Sequence, residues 1–249
     1  RRSSDLACNY NVEAELDDGS CKYPPNDCIA CDGSGIGGQD CTGECGGNAS
    51  EIQIGNQIWC TENLKVTHYN NGTEIASGYT DLEWSNLETG AYAGYGNIDT
   101  FGYLYNGYVV NTGKLAPDGW HIPTNEEWME LEMALGMSES DAQSRYDRGT
   151  NQGSQLAGRA PLWRDGSLKY NSAFGISGFN ALPGGYRDYD GSYRHIGFAG
   201  YFWSSSECGM SEYSFIKLMC SRGLGNDSSK INLLHIYETA GSYIRLVRD

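Results

Sequence analysis

The sequence predicts an α+β domain behind a small disulfide-rich arm, and three observations predict it. Six of the nine cysteines (Cys8, Cys21, Cys28, Cys31, Cys41 and Cys45) crowd the first 50 of 249 residues, leaving only Cys60, Cys208 and Cys220 beyond. One strongly capped helix stands at Thr124. Strand-like segments lie at both ends of the stretch 51–249, so helices and strands do not alternate as they do in βαβ folds.

Residues 1–50 hold too few apolar side chains to form a core without crosslinks. Their cysteine density suits a disulfide-stapled module from an oxidising compartment. The odd total leaves one cysteine without an internal partner, or pairs it between chains. Cys28-x-x-Cys31 followed by Cys41-x-x-x-Cys45 also has a zinc-thiolate spacing, but the compartment argument favours disulfides. Gly33-Ser34-Gly35-Ile36-Gly37-Gly38 matches a dinucleotide fingerprint without the flanking strand and helix that would give it meaning. Asp17 and Asp18 offer oxygen ligands for calcium, short of a full ligand series. No other cofactor is expected.

From Glu51 the texture changes. Ile52, Ile54 and Ile58 alternate with polar residues around Gly55-Asn56, which reads as a hairpin. Residues 101–110 read as a further strand. Thr124 and Glu127 form a Thr-x-x-Glu capping box after Pro123. Trp128, Leu131 and Leu135 then recur at helical spacing, and Gly136 closes the helix. A second, polar surface helix is expected from Ser138, with Asp141 three residues on. After Gly149 the chain turns Gly/Ser/Tyr-rich, with turns at Asp190-Gly191 and Asn226-Asp227. Tyr243 to Arg248 alternates as a half-buried strand would.

The formal net charge of -15 opposes phosphate backbones and anionic membranes, so nucleic acid is not an expected partner. No apolar run is long enough to span a bilayer. Arg1 to Ser4 carries no secretory-signal pattern, so the chain reads as a mature sequence. The four histidines are scattered, and no Gly-x-Ser-x-Gly elbow is present.

Five segments and the chain's last residues carry a family resemblance. They are Trp59-Cys60-Thr61-Glu62-Asn63-Leu64; Phe101-Gly102-Tyr103-Leu104-Tyr105-Asn106; Pro117-Asp118-Gly119-Trp120-His121-Ile122-Pro123-Thr124 with Glu127-Trp128; Gly178 to Arg187; Tyr201-Phe202-Trp203-Ser204-Ser205-Ser206-Glu207; and Arg245 to Asp249. In this order they resemble the Fibrobacter succinogenes major paralogous domain, covering 51–249 as a domain distinct from the arm at 1–50. The resemblance implies a C-type-lectin-like fold of small antiparallel sheets with one or two helices, whose first and last strands pair. It also implies that most tryptophans are core and that His121 is a hydrogen-bonded structural residue. The family pattern often has cysteines where this chain has Ala116 and Leu246, so apolar packing is expected to replace that crosslink. Cys208 and Cys220 have a spacing suited to a hairpin or adjacent-strand disulfide. Cys60 either pairs with Cys45, the preferred option, or is a buried free thiol.

The expected function is that of a secreted, non-enzymatic structural or interaction protein at the cell surface, in one version a self-assembling filament subunit. Its partners would be further copies or other extracellular proteins. An adhesin for glycan or protein is the alternative, with Tyr69, Tyr92, Tyr95, Tyr189 and Tyr193 as contact candidates, because tyrosine offers broad contact area at low entropic cost. A formylglycine-generating-type enzyme is a further alternative, without a match to that family's active-site cysteine segment. Asn48, Asn71 and Asn226 begin glycosylation acceptor triplets.

Overall fold

The structure is a computed structural model that describes residues 39–44, 47–211 and 217–249. Cys8, Cys21, Cys28, Cys31, Cys45, Asp17, Asp18 and the glycine run 33–38 lie outside the described residues.

The chain runs β1 (Glu51–Ile54), β2 (Gln57–Cys60), α1 (Asp81–Ser85), β3 (Tyr92–Gly94), α2 (Ile98–Phe101), β4 (Tyr103–Asn106), α3 (Gly107–Val110), β5 (Trp120–His121) and α4 (Asn125–Ala134). It continues through α5 (Glu139–Ala142), β6 (Tyr146–Arg148), α6 (Gln152–Leu156), α7 (Ser167–Tyr170), β7 (Tyr186–Arg187) and β8 (Tyr193–Arg194). It ends with β9 (Ala199–Met210), β10 (Lys217–Gly225), β11 (Ile231–Tyr237), β12 (Gly241–Ser242) and β13 (Val247–Arg248). Three sheets result, ordered β1-β2-β13-β5, β6-β11-β10-β9 and β3-β4-β12-β7-β8. All their strand pairings are antiparallel. Among the described residues no helix is long and apolar enough to cross a membrane.

The hairpin forms where expected: Gly55 takes φ +61° and Ile54 pairs with Gln57. The α4 capping box is complete, and Trp128 and Leu131 are buried. Ser138 caps α5 by accepting from the Asp141 amide. Thr80-x-x-Glu83 carries the same signature and opens α1, a helix outside the sequence expectation. One or two helices were expected, and seven short ones occur among the described residues. Only α4 exceeds five residues; of the single turns, α1, α2, α3 and α5 have side-chain caps, whereas α6 and α7 have none.

The strand expected over 101–110 is shorter. Gly102, at φ +76°, ends α2, and β4 stops at Asn106. The Asn106 Oδ1 accepts from the Val109 amide at 3.2 Å and from the Ala91 amide at 3.0 Å. A side-chain acceptor at this point turns the chain into α3. The final segment also departs from expectation, since all of residues 240–247 are buried. This segment threads between sheets: Val247 pairs with both Trp59 and His121. Tyr243 donates its amide to Tyr201 and accepts from Trp203. Both faces are covered, so alternation in sequence does not become alternation in exposure. The last strand, β13, pairs with β2 and β5 and not with the first strand, β1, which is the pairing that the resemblance implies; β2 lies between β1 and β13 in the sheet.

Five of the six tryptophans (Trp59, Trp84, Trp128, Trp163, Trp203) are buried. Trp59, Trp128 and Phe179 meet at centroid distances of 4.9–5.8 Å in the larger core. A second core gathers Cys41, Cys60, Leu64, Tyr105, Trp203 and Leu246, with Ala116 packed against it. The two positions lacking the family crosslink therefore share one apolar cluster.

Cys208 and Cys220 form a disulfide across β9 and β10. Cys60 is also bridged, but to Cys41 and not to Cys45. The reason is local. Asp40 Oδ1 accepts from the Thr42 amide at 2.8 Å, and Thr42 accepts at its carbonyl from the Lys65 amide at 3.0 Å. That turn sets the Cys41 Cα 5.7 Å from that of Cys60, within bridging range. Cys41 is thereby removed from any zinc set.

Candidate functional site

A depression of about 450 Å³ lies on one face of the sheet β6-β11-β10-β9. Strand register builds it. Gly223 on β10 pairs with Tyr201 on β9 and with Asn232 on β11. Asn232 pairs in turn with Asp147 on β6. Tyr201, Gly223, Asn232 and Asp147 thus form one row across four strands, and all four line the depression. A Cβ at position 223 would sit 3.1 Å from Leu234 Cδ1 and 3.3 Å from Tyr201 Cε1. Glycine therefore lets these two side chains lean together over the strand, making an apolar floor. Asn232 Nδ2 donates to Asp147 Oδ1 at 2.9 Å, forming a polar wall. Asp227, Ser228 and Lys230, from the β10–β11 turn, close one end.

The opposite face holds this sheet rigid. Arg222 and Arg148 both bind Glu132 of α4, with contacts of 2.6 Å, and all three are buried. Burial pulls the Arg222 guanidinium down to about 10, with the Glu132 carboxylate opposing the shift. It remains charged at neutral pH.

The aromatic surface continues past Tyr201. Its ring lies 4.7 Å from that of Tyr186 and 6.4 Å from the His195 ring. His195 Nδ1 is 3.3 Å from the Tyr201 hydroxyl. Burial, with the neighbouring Tyr186 and Asp188, pushes the Tyr201 phenol up to about 12, so it stays neutral. His195 adopts φ +66°, a left-handed conformation that is uncommon for a side chain-bearing residue.

Of the five tyrosines expected to contact ligand, Tyr95 and Tyr193 come together, and none of the five lines the groove. Tyr95 packs on Tyr193 at 4.9 Å, Tyr189 on Tyr237 at 5.2 Å, and Tyr92 on Tyr103 at 4.7 Å. Tyr69 packs at the edge of the second core. Asp188 and Asp190 pair with Arg194 at 2.9 and 2.8 Å, so Asp190-Gly191 acts as the expected hairpin turn. Asn48 and Asn71 are exposed. Asn226 is half-buried and donates its amide nitrogen to the Asp165 carbonyl at 3.0 Å, which occupies the atom that glycosylation would need.

His121 is hydrogen-bonded on both ring nitrogens, to Asp249 and Glu127, each at 2.7 Å. It clasps β5 to the start of α4 and the chain's last residue. Burial opposes its protonation, but the two carboxylates outweigh burial and raise its pKa above the usual value. Cys208, Cys220 and His235 bring their ligand atoms within 4.8 Å of one another, but both sulfurs are consumed in the disulfide.

The groove residues Gly223, Asn232 and Asp147 carry no sequence signal, because they are adjacent only through register. Tyr201 stands in the motif Tyr201 to Glu207, where period-two alternation puts it on the face opposite Phe202.

A family model described as the Fibrobacter succinogenes major domain matches residues 52–248. No curated protein and no solved structure matches the chain. The chain belongs to the Fibrobacter succinogenes major domain family.

Proposed function

We propose that this family member is a secreted, non-enzymatic interaction protein with a C-type-lectin-like fold, and that the groove over Gly223 is its binding face. The carrying observation is the row Tyr201–Gly223–Asn232–Asp147, an aromatic ring and two hydrogen-bonding groups displayed on a sheet braced from behind. Such a mixture of apolar floor and few directed polar groups is what ligand sites present. The two disulfides among the described residues suit an oxidising, extracellular setting. The partner is an extracellular protein, a further copy, or a glycan.

Cosedimentation with the cell-surface and extracellular fraction of the source cells tests this reading. The wild-type chain pellets and Gly223→Val stays in solution. Equal behaviour of the two proteins refutes the groove as the binding face.

A structural-subunit reading has its own support. Cys41, Cys60, Cys208 and Cys220 are paired, which leaves Cys8, Cys21, Cys28, Cys31 and Cys45. Five cysteines cannot all pair with one another, so at least one does not pair within this set, and a link between copies would use it. Non-reducing mass spectrometry and electron microscopy of native material would then show crosslinked multimers or filaments. A monomer at high concentration removes this second reading.

A further inference from the structure

We infer that the groove holds one ring of a neutral saccharide, seated on Tyr201 and Leu234 over Gly223 and hydrogen-bonded by Asn232 and Asp147. The inference rests on the groove being the binding face.

A pyranose has a face of C–H groups and a rim of hydroxyls, and the groove has a counterpart for each. Tyr201 and Leu234 supply apolar contact, with the tyrosine ring already held by Tyr186. The Asp147 carboxylate only accepts hydrogen bonds, which suits hydroxyl donors. The Asn232 amide nitrogen gives one N–H to Asp147 and has a second to donate to a hydroxyl oxygen. Tyr201 and Asn232 flank β10 on either side, about 10 Å apart at two strand spacings. Leu234 and Tyr201 close over Gly223 between these two flanks, so the ring rests on their apolar surface and not in a gap above the glycine. The depression of about 450 Å³ falls within the range of small-molecule sites.

Charge decides the class of sugar. Asp147 and Asp227 line the groove against one cation, Lys230, within a chain of net charge -15. Uronates, sulfated glycans and nucleic acids are repelled; neutral hexoses are not. Because the back of the sheet is fastened to α4 through Arg222, Glu132 and Arg148, the row is preformed and binding need not order it.

The test is calorimetry of the full chain with neutral cello-, manno-, xylo- and chito-oligosaccharides, beside heparin and polygalacturonate as anionic probes. At least one neutral series binds, the anionic probes do not, and chelator leaves binding unchanged. Asp147→Ala, at an exposed position, weakens binding about tenfold, the effect of losing a hydrogen bond to a charged group. Gly223→Val, checked for folding by near-ultraviolet circular dichroism, abolishes it. Binding that survives both substitutions, preference for anionic probes, loss with chelator, or silence across all neutral series each overturns the inference. The cosedimentation assay separates the two levels. If no saccharide binds while Gly223→Val still loses cosedimentation, the face stands and the ligand class falls; if cosedimentation is unaffected too, both fall.

Discussion

Replacing Arg245 with Met removes a fully buried hydrogen-bond donor that joins separate parts of the fold. The Arg245 guanidinium donates to Cys60 O at 3.0 Å, Asn63 Oδ1 at 3.1 Å, Phe179 O at 2.5 Å and Asn180 O at 3.2 Å. It also lies 4.5 Å from the Phe179 ring centroid. No carboxylate pairs with it among the described residues. Burial pulls its pKa down to about 9, still charged at neutral pH. Each hydrogen bond to a charged group contributes about 1.5–3 kcal/mol. Against that loss, Met recovers the several kcal/mol that burying a charge costs. The net expectation is a destabilisation of about 3–5 kcal/mol, because Asn63 Oδ1 and the carbonyls of Cys60, Phe179 and Asn180 lose their donor in the interior. A domain has only about 5–15 kcal/mol in total. Urea unfolding followed by tryptophan fluorescence reads the effect as a midpoint lowered by roughly 1–3 M at unchanged slope. Arg245→Lys falls between, because an ammonium cannot reproduce the planar fork. A midpoint shift below about 0.3 M for Arg245→Met would refute the claim that this side chain clamps residues 60–63 and 179–180 to the last segment.

Other outcomes follow from the same structure. Cys41→Ala with Cys60→Ala opens a loop of sequence separation 19 and costs about 3 kcal/mol, measured as a lower unfolding midpoint; peptide mapping without reductant recovers Cys41 joined to Cys60. Glu132→Gln leaves Arg148 and Arg222 buried without their counter-charge and destabilises by about 3–5 kcal/mol, checked by the same unfolding assay. The His121 clasp gives stability a pH window. Hydrogen bonds to Thr124 and His121 overcome burial and lower the Glu127 pKa, so its contribution is complete above 4.5 and fades as pH falls through the lowered value. The His121 pKa is raised, so its contribution is complete below 6.5 and fades as pH rises through the raised value. The melting temperature of wild type minus that of His121→Gln is therefore largest between pH 4.5 and 6.5, the ordinary values of the two groups; a difference that grows above pH 7 would contradict the assignment.

Local signals were legible wherever a short-range interaction fixes the backbone. Thr124-x-x-Glu127 announced α4 because both halves of the cap lie within one turn. Gly55-Asn56 announced its hairpin, and Asp190-Gly191 the loop after β7. The motif residues also identified the family and marked the tryptophans as core. Other features depended on contacts far apart in sequence. Tyr243 to Arg248 alternates like an edge strand, yet it runs through the middle of the fold, and only its neighbours on both sides make Arg245 a buried clamp. Cys41, not Cys45, reaches Cys60 because a turn around Asp40 sets one Cα at bridging distance. The groove is the clearest instance. Residues 147, 201, 223 and 232 share no motif or periodicity, and they meet because three antiparallel registers bring them into one row. By itself the sequence determined the family, the capped helix, the turns and an apolar core, since these follow from interactions within a few residues or from composition. The tertiary structure alone decided which polar residues face one another, because a register shift of a single residue would turn each strand's side chains to the opposite face.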